Sequence, residues 1–142
     1  MAQKNVWLII APHPDDDSIG CGALLLSLSK KMSEIHIAYA VTGFNGVTDR
    51  YAEEKLKISI KEKSEKELRK IKSEVRKNEA GACCDFLGAT AHFLQLPFYE
   101  GGGAEGFYEE DIAITVELLK KIKPNTIVLI DEDNDPHGTH GI

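Results

Sequence analysis

The chain has 142 residues, of which 42% are hydrophobic and 28% charged, and its formal net charge is −6 at pH 7. This length and balance are typical of one soluble globular domain that can bury a core. The negative charge argues against a general nucleic-acid binder, and no apolar run approaches the roughly 20 residues that a membrane-spanning helix needs.

The predicted elements begin with a strand and a helix joined by a polar turn. Val6–Ala11 is a short apolar run, typical of a parallel strand that is covered on both faces. A helix is predicted from about Asp17 to Lys31, with Asp17 or Ser18 capping its exposed amides. The turn between them carries His13 and three successive aspartates. In an open α/β sheet, ligands bind beyond the carboxyl ends of the strands, where this turn should lie.

The rest of the chain alternates between strand and helix patterns. Further strands are predicted at 35–41, 91–96 and 126–130, and helical stretches at 52–87, broken at most once, and 109–121. This alternation predicts an α/β fold with a parallel sheet and right-handed crossovers. Such a fold should add another helix after His140, so we expect residues 1–142 to be the N-terminal portion of one domain.

Two loops and one helical acid bear on the location of a site. Thr42–Gly46 follows the second strand, and its glycines and asparagine indicate a loop that lines the same crevice. The glycine-rich segment 100–106 lacks a G-x-x-x-x-G-K-[ST] pattern, so it does not support a phosphate cradle. Glu79 falls on the apolar stripe of the long helix. An inward acid needs a partner or a function, which leaves an ion pair with Arg76 or a role at the site open.

Two polar clusters, each directly after a buried strand, should meet at one edge of the sheet. The first includes His13 and Asp16, and the second runs from Asp131 to His140. His13, Asp16 and His140 would supply two nitrogens and one carboxylate, a set that suits a catalytic zinc with open positions. Each cluster alone is explained equally well by a solvated loop. Their coincidence favours the metal site.

The neighbouring side chains suggest hydrolysis of an acyl group. An open zinc lowers the pKa of its water and polarises a carbonyl oxygen. Asp15 is then placed to take a proton from the attacking water and to deliver one to a leaving amine. His137 can stabilise negative charge on the carbonyl oxygen.

Cysteines and glycines in the first motif allow other interpretations, which are weaker. Gly20 and Gly22 resemble part of a dinucleotide-binding loop, but Leu25 stands at the third glycine position and the acidic turn would repel a pyrophosphate. Nothing marks a dedicated base beside Cys21 as a nucleophile. The three cysteines form no CxxC pair. That favours packing roles in a reducing compartment, so we expect a cytoplasmic protein.

The motifs together resemble a known family. Residues 12–17 followed by Gly20–Gly22 are similar to the first signature of the LmbE-like, or PIG-L-like, zinc-dependent N-acetyl-sugar deacetylases. Residues 137–140 resemble that family's second motif, and residues 76–79 with 86–88 resemble its arginine-bearing helix. Residues 93–100 and 135–140 look closer still to the LmbE-like half that some two-domain proteins attach to a glucosamine-6-phosphate deaminase-like domain.

The resemblance implies a Rossmann-like three-layer sandwich that removes acetyl from an N-acetylglucosamine-type substrate. The implied zinc ligands are His13, Asp16 and His140, the catalytic residues are Asp15 and His137, and Arg76 contacts the sugar or an attached group. Related members often form homo-oligomers. Two departures are Asp17, where the family has a glutamate that supports the ligands, and Gly141, where a basic residue is common.

Two alternatives to sugar deacetylation stay open at this stage. One is zinc-dependent cleavage of another acyl amide, such as a modified amino acid or thiol conjugate. The other is a non-catalytic domain that binds metal or sugar for an attached partner. Retention of Asp15 and His137 argues against the second, because a binding module needs no general base.

Overall fold

A computed structural model describes residues 5–31, 33–100 and 108–129. The strands in these ranges are β1 (Val6–Ala11), β2 (Glu34–Tyr39), β3 (Thr90–Phe93) and β4 (Thr126–Val128). The helices are α1 (Asp16–Lys30), α2 (Asp49–Leu56), α3 (Glu65–Leu87), α4 (Pro97–Glu100) and α5 (Tyr108–Ile122), with a 3₁₀ turn at Phe44–Gly46. Among these helices, none has the length and apolar character needed to cross a bilayer.

The described strands form one parallel sheet in the order β3-β2-β1-β4. In this register Ile9 of the central strand β1 lies beside Ile37 of β2 and Val128 of β4. A central parallel strand is covered on both faces, which explains the uninterrupted apolar sequence of β1. The predicted parallel α/β architecture is confirmed.

Helices cover both faces of the sheet, because alternate strand residues point to opposite sides. The larger core cluster joins one face to α1 and α3, and its fully buried members include Ile9, Leu25, Ile37, Tyr39 and Cys84. A second cluster joins the other face to α5 through Leu8, Ala38 and Leu118. The molecule therefore has the three layers of the predicted Rossmann-like sandwich.

The long helical stretch is broken once, as allowed, between α2 and α3. Lys57 ends α2 with a left-handed backbone at φ 54°. Ser64 starts α3 with a capping box, in which its hydroxyl accepts the Glu67 N–H and the Glu67 carboxylate accepts the Ser64 N–H. This reciprocal cap fixes the new helix start.

The prediction that Glu79 faces inward is wrong. Its side chain is 41% exposed, accepts a hydrogen bond from the Tyr51 hydroxyl and lies 3.8 Å from the Lys55 ammonium. The break in the helix allows α2 to pack against this side of α3, so the stripe position of Glu79 meets polar residues of α2. It lies in a groove with Lys55 and Leu56, apart from Arg76 and the turn after β1.

Candidate active site

The turn between β1 and α1 brings two of the predicted zinc ligands together. His13 Nδ1 lies 3.2 Å from Asp16 Oδ2, and the same oxygen accepts the His13 backbone N–H at 2.8 Å. Both side chains are partly exposed, at 25% and 16%. An imidazole nitrogen and a carboxylate oxygen are donors that zinc prefers.

The second cluster of the sequence cannot be compared with this pair. His137 and His140 lie outside the described residues. Within the described ranges no three metal-ligating side chains converge. The turn therefore supplies two suitable donors, and the third ligand stays a prediction.

Asp15 stands next to this pair with an unusual backbone. Its φ of 136° and ψ of −31° lie in a region that residues other than glycine rarely adopt. Its N–H donates to Asp17 Oδ1 at 3.3 Å, and its carbonyl accepts the N–H groups of Ser18 and Ile19 at 3.0 and 2.9 Å. Such a conformation costs about 1–3 kcal/mol and persists where the surroundings hold it, often at functional sites.

Arg76 of α3 holds the Asp15 carboxylate through two contacts. Its Nη1 and Nη2 donate to the two carboxylate oxygens at 3.1 and 3.0 Å, and its Nε donates to the Thr42 carbonyl at 3.3 Å. The Arg76 side chain is 15% exposed, against 49% for Asp15. The arginine thus ties α3 to both loops that follow β1 and β2, and its predicted contact with sugar stays a prediction.

These residues line one open cleft of about 320 Å³. Its lining consists of His13, Asp15, Asp16, Gly43, Asn45, Gly46 and Arg76. The loop after β2 therefore lines the same crevice as the first motif, as predicted. Gly43 has φ 59°, and a Cβ at this position would lie 2.7 Å from His13 Cδ2. Glycine is needed there both for its backbone and for the close approach of the imidazole.

Tyr99 of α4 also contacts the site, and the sequence did not reveal it. The Tyr99 and His13 rings meet edge to face, with centroids 6.3 Å apart. Nearby, Arg69 lies over the Phe44 ring at 4.5 Å and pairs with Glu100. These contacts join α4 to the loop after β2 across long sequence separations, which spacing arguments do not detect.

Beneath the turn, Asp17 is buried and does not cap α1 as predicted. Asp17 is 2% exposed, and its charge acts on the hydroxyl of Tyr39, which is 0% exposed. Burial, and then the charge of Asp17, raise the pKa of Tyr39 far above its ordinary value, so Tyr39 stays a protonated donor. Asp17 lies within the helix and accepts the N–H of Asp15, the residue that precedes the helix.

The three cysteines are free thiols that pack against the main core. Burial, and then the Asp17 charge, raise the pKa of Cys21. A thiol with a raised pKa is a poor nucleophile. Cys21 therefore does not suit nucleophilic catalysis.

Comparison with known proteins places this chain in a family. The sequence profile of PIG-L, described as GlcNAc-PI de-N-acetylase, matches residues 8–142. A glucosamine-6-phosphate deaminase-like protein of Bacteroides thetaiotaomicron is 31% identical over 172 residues, which cover 95% of this chain and 26% of that protein.

Solved structures share the fold at low sequence identity. The 4-carboxy-2-hydroxymuconate hydratase GalB of Pseudomonas putida KT2440 is 19% identical with a TM-score of 0.68, and the match covers 97% of this chain and 51% of GalB. A conserved protein of Thermus thermophilus is 22% identical with a TM-score of 0.65, and the match covers 94% and 49%. The N,N'-diacetylchitobiose deacetylase of Pyrococcus horikoshii is 22% identical with a TM-score of 0.66, and the match covers 96% and 44%.

The chain thus spans about half the length of these solved structures and about a quarter of the curated relative. The structural matches establish the shared fold. The profile match covers nearly the whole chain and includes both polar motifs. The chain belongs to the PIG-L family, as the resemblance of its motifs predicted.

Proposed function

We propose that the protein hydrolyses the acetamide of an N-acetylglucosamine-type sugar, with residues 1–142 as part of the deacetylase domain. Family membership and the diacetylchitobiose deacetylase among the structural neighbours support this proposal. The observation that carries it is the meeting of His13, Asp16 and Asp15 in one open cleft. GalB, a hydratase, has the same fold, so the fold alone does not select the reaction.

The proposed cofactor is zinc, held by His13, Asp16 and His140. The nitrogen and oxygen donors of the first two, 3.2 Å apart on a partly exposed turn, fit such an ion. When bound, zinc would polarise the amide carbonyl and favour ionisation of water. The remaining steps fall to the protein's own side chains.

Asp15 is proposed to move the protons, because its carboxylate faces the cleft beside the ligand pair. Water adds to the amide carbon and gives a proton to Asp15. When the C–N bond breaks, that proton passes to the nitrogen, and the products are a free amino sugar and acetic acid, which loses its remaining proton to solvent as acetate. Positioned acid–base groups contribute about 10²–10⁴-fold to such reactions.

Arg76 and His137 are proposed to assist this reaction. Arg76 keeps both oxygens of Asp15 oriented through its two-point contact and lies close enough to the cleft to meet a bound sugar. His137 would donate a hydrogen bond to the carbonyl oxygen as negative charge develops. Homo-oligomer formation and a cytoplasmic location stay predictions.

The experiment uses the full-length protein, stripped of metal and then supplied with zinc. Free amine is measured with N-acetylglucosamine, its 6-phosphate, N,N'-diacetylchitobiose and a set of N-acetyl amino acids. We expect zinc-dependent amine release from a sugar. Asp15→Asn should lower kcat by about 10²–10⁴-fold while zinc stoichiometry is unchanged.

Glu79→Gln provides a matched control, since this carboxylate of α3 lies outside the cleft. This variant should leave kcat within twofold of the parent protein. Release of amine from acyl amino acids alone would replace the proposed substrate class. Stoichiometric zinc binding with no hydrolysis of any amide would contradict the proposal and favour a binding domain.

A further inference from the structure

Asp17 is the least exposed carboxylate among the described residues, and the proposed reaction gives it no step of its own. We propose that Asp17, buried beneath the turn, is a positioning residue that keeps the general base Asp15 in its reactive conformation. The inference rests on the proposed function, since Asp15 acts as a base only if the chain hydrolyses an amide.

The first observation is the contact between Asp17 and the strained residue. Asp17 Oδ1 accepts the Asp15 N–H at 3.3 Å. Asp15 has φ 136°, a conformation that relaxes to negative φ when nothing holds it. The hydrogen bond that the Asp15 N–H donates to Asp17 fixes the peptide group that sets this angle.

The second observation is the way Asp17 itself is anchored. A buried carboxylate is unfavourable unless its oxygens are hydrogen-bonded. Oδ1 of Asp17 accepts the Asp15 N–H, and Oδ2 accepts the Ser18 hydroxyl at 3.4 Å. The Asp17 side chain is thus enclosed and bonded at both oxygens, which fixes its position beneath the turn.

The third observation is that Asp15 is held at each of its polar groups. Its N–H meets Asp17, its carbonyl accepts the amides of Ser18 and Ile19, and its carboxylate meets Arg76. The carbonyl contacts are ordinary helix-start bonds. A change of φ at Asp15 would swing the Cα–Cβ bond and move the carboxylate away from Arg76 and the ligand pair. Loss of Asp17 should therefore act on the rate through the orientation of Asp15.

The test compares the steady-state kinetics of Asp17→Ala and Asp17→Asn in the zinc-loaded full-length protein. We expect Asp17→Ala to lower kcat by about 10–100-fold with little change in KM, the size typical of residues that orient a catalytic group. Asp17→Asn keeps an oxygen acceptor for the Asp15 N–H and should recover most of the rate.

Two controls separate positioning from general destabilisation. Leu87→Ala removes packing from the same core cluster without touching Asp17 and should leave kcat within twofold for the folded fraction. In an Asp15→Asn background, Asp17→Ala should cause no further loss, since it acts through Asp15. A kcat for Asp17→Ala within twofold of the parent, or additive losses in the double variant, would overturn the inference.

A crystal structure of Asp17→Ala gives a readout that does not depend on turnover. We expect Asp15 to adopt a negative φ and to lose its two-point contact with Arg76. An unchanged Asp15 backbone would overturn the inference even where the parent protein is an active deacetylase. If the parent protein is inactive and Asp15 adopts a negative φ in the variant, the proposed function is rejected and the positioning contact is retained.

Discussion

Two clusters of histidine and carboxylate side chains occur in or beside the described sheet, and they differ in position and in the role proposed for them. The turn cluster, His13 with Asp16, lies beyond the carboxyl end of β1 and opens into the cleft. The strand cluster consists of Glu34, His36 and His92. His36 Nε2 lies 3.0 Å from Glu34 Oε1, and His36 Nδ1 lies 3.0 Å from His92 Nε2.

The difference shows that residue type alone does not make a catalytic site. In the strand cluster, regular strand backbone directs the side chains to the sheet face that α5 covers, and both nitrogens of His36 are taken up by neighbours. In the turn cluster, the chain has left the strand and can adopt the strained Asp15 backbone and the close approach of Gly43. Irregular backbone at a strand end gives the turn cluster an accessible face.

The largest expected difference between the two clusters comes from replacing a histidine with glutamine in each. His13→Gln should abolish zinc binding and lower kcat/KM by about 10³-fold, since a bound metal contributes several kcal/mol of transition-state stabilisation. His92→Gln should leave zinc affinity and kcat/KM within twofold of the parent protein. Elemental analysis and amine release measure the two effects. Equal losses in both variants would erase the contrast between the clusters.

Gly43→Ala tests the close packing around the turn cluster. The left-handed backbone alone should cost about 1–2 kcal/mol of unfolding free energy, and the new Cβ, 2.7 Å from His13 Cδ2, should also displace the imidazole. Gly88→Ala is the matched control, because Gly88 has φ 67° and nothing within 4 Å of the added Cβ. Urea unfolding and zinc affinity are measured for both. If Gly88→Ala weakened zinc binding as much, steric pressure on His13 would not be the cause.

The strand cluster should make stability depend on pH. Burial first, then the charges of His36 and Lys121, lower the pKa of His92 below its ordinary value of 6.5. At pH values between 6.5 and the lower pKa of His92 in the folded protein, the unfolded chain binds more protons than the folded chain. The stabilisation is therefore complete above pH 6.5 and is lost as the pH falls. The slope is at most about 1.4 kcal/mol per pH unit.

His92→Gln should remove this contribution and flatten the stability profile as the pH falls below 6.5. Urea midpoints at several pH values test it, with the parent protein measured alongside. The difference between the two proteins reports His92 together with its interaction with His36. Identical slopes would show that His92 is not the group responsible.

The smallest effect concerns Lys121 of α5. Lys121→Gln removes a positive charge that lowers the pKa of His92, so that pKa should rise slightly. The rise should be small because the lysine is exposed and salt screens its charge. An NMR titration of His92 measures it. Lys120→Gln, one position away on the helix, removes an equal charge and should shift the titration less.

Much of the fold could be predicted from local pattern. Apolar runs and helical periodicity gave the order of the elements, and the contact between His13 and Asp16 spans three residues of one turn. The pairing of Arg76 with Asp15 joins residues 61 positions apart, and no periodicity encodes it. Glu79 was misplaced because periodicity locates a stripe but not the element that packs on it.

Asp17 shows a different limit of local pattern. An aspartate at the start of a helix is chemically suited to capping, and only the packing of β2 under the turn brings Tyr39 to it. Tyr99 likewise reaches His13 through the position of α4. Residues that support a site from other elements depend on tertiary packing, which the sequence pattern does not contain.

The two-point contact between Arg76 and Asp15 also bears on how the proposed reaction ends. A guanidinium that holds one carboxylate through both oxygens can hold another of the same shape. Acetate, which the proposed hydrolysis releases, is such a carboxylate. It should compete with Asp15 for Arg76, so turnover is expected to slow as product accumulates and to recover on dialysis.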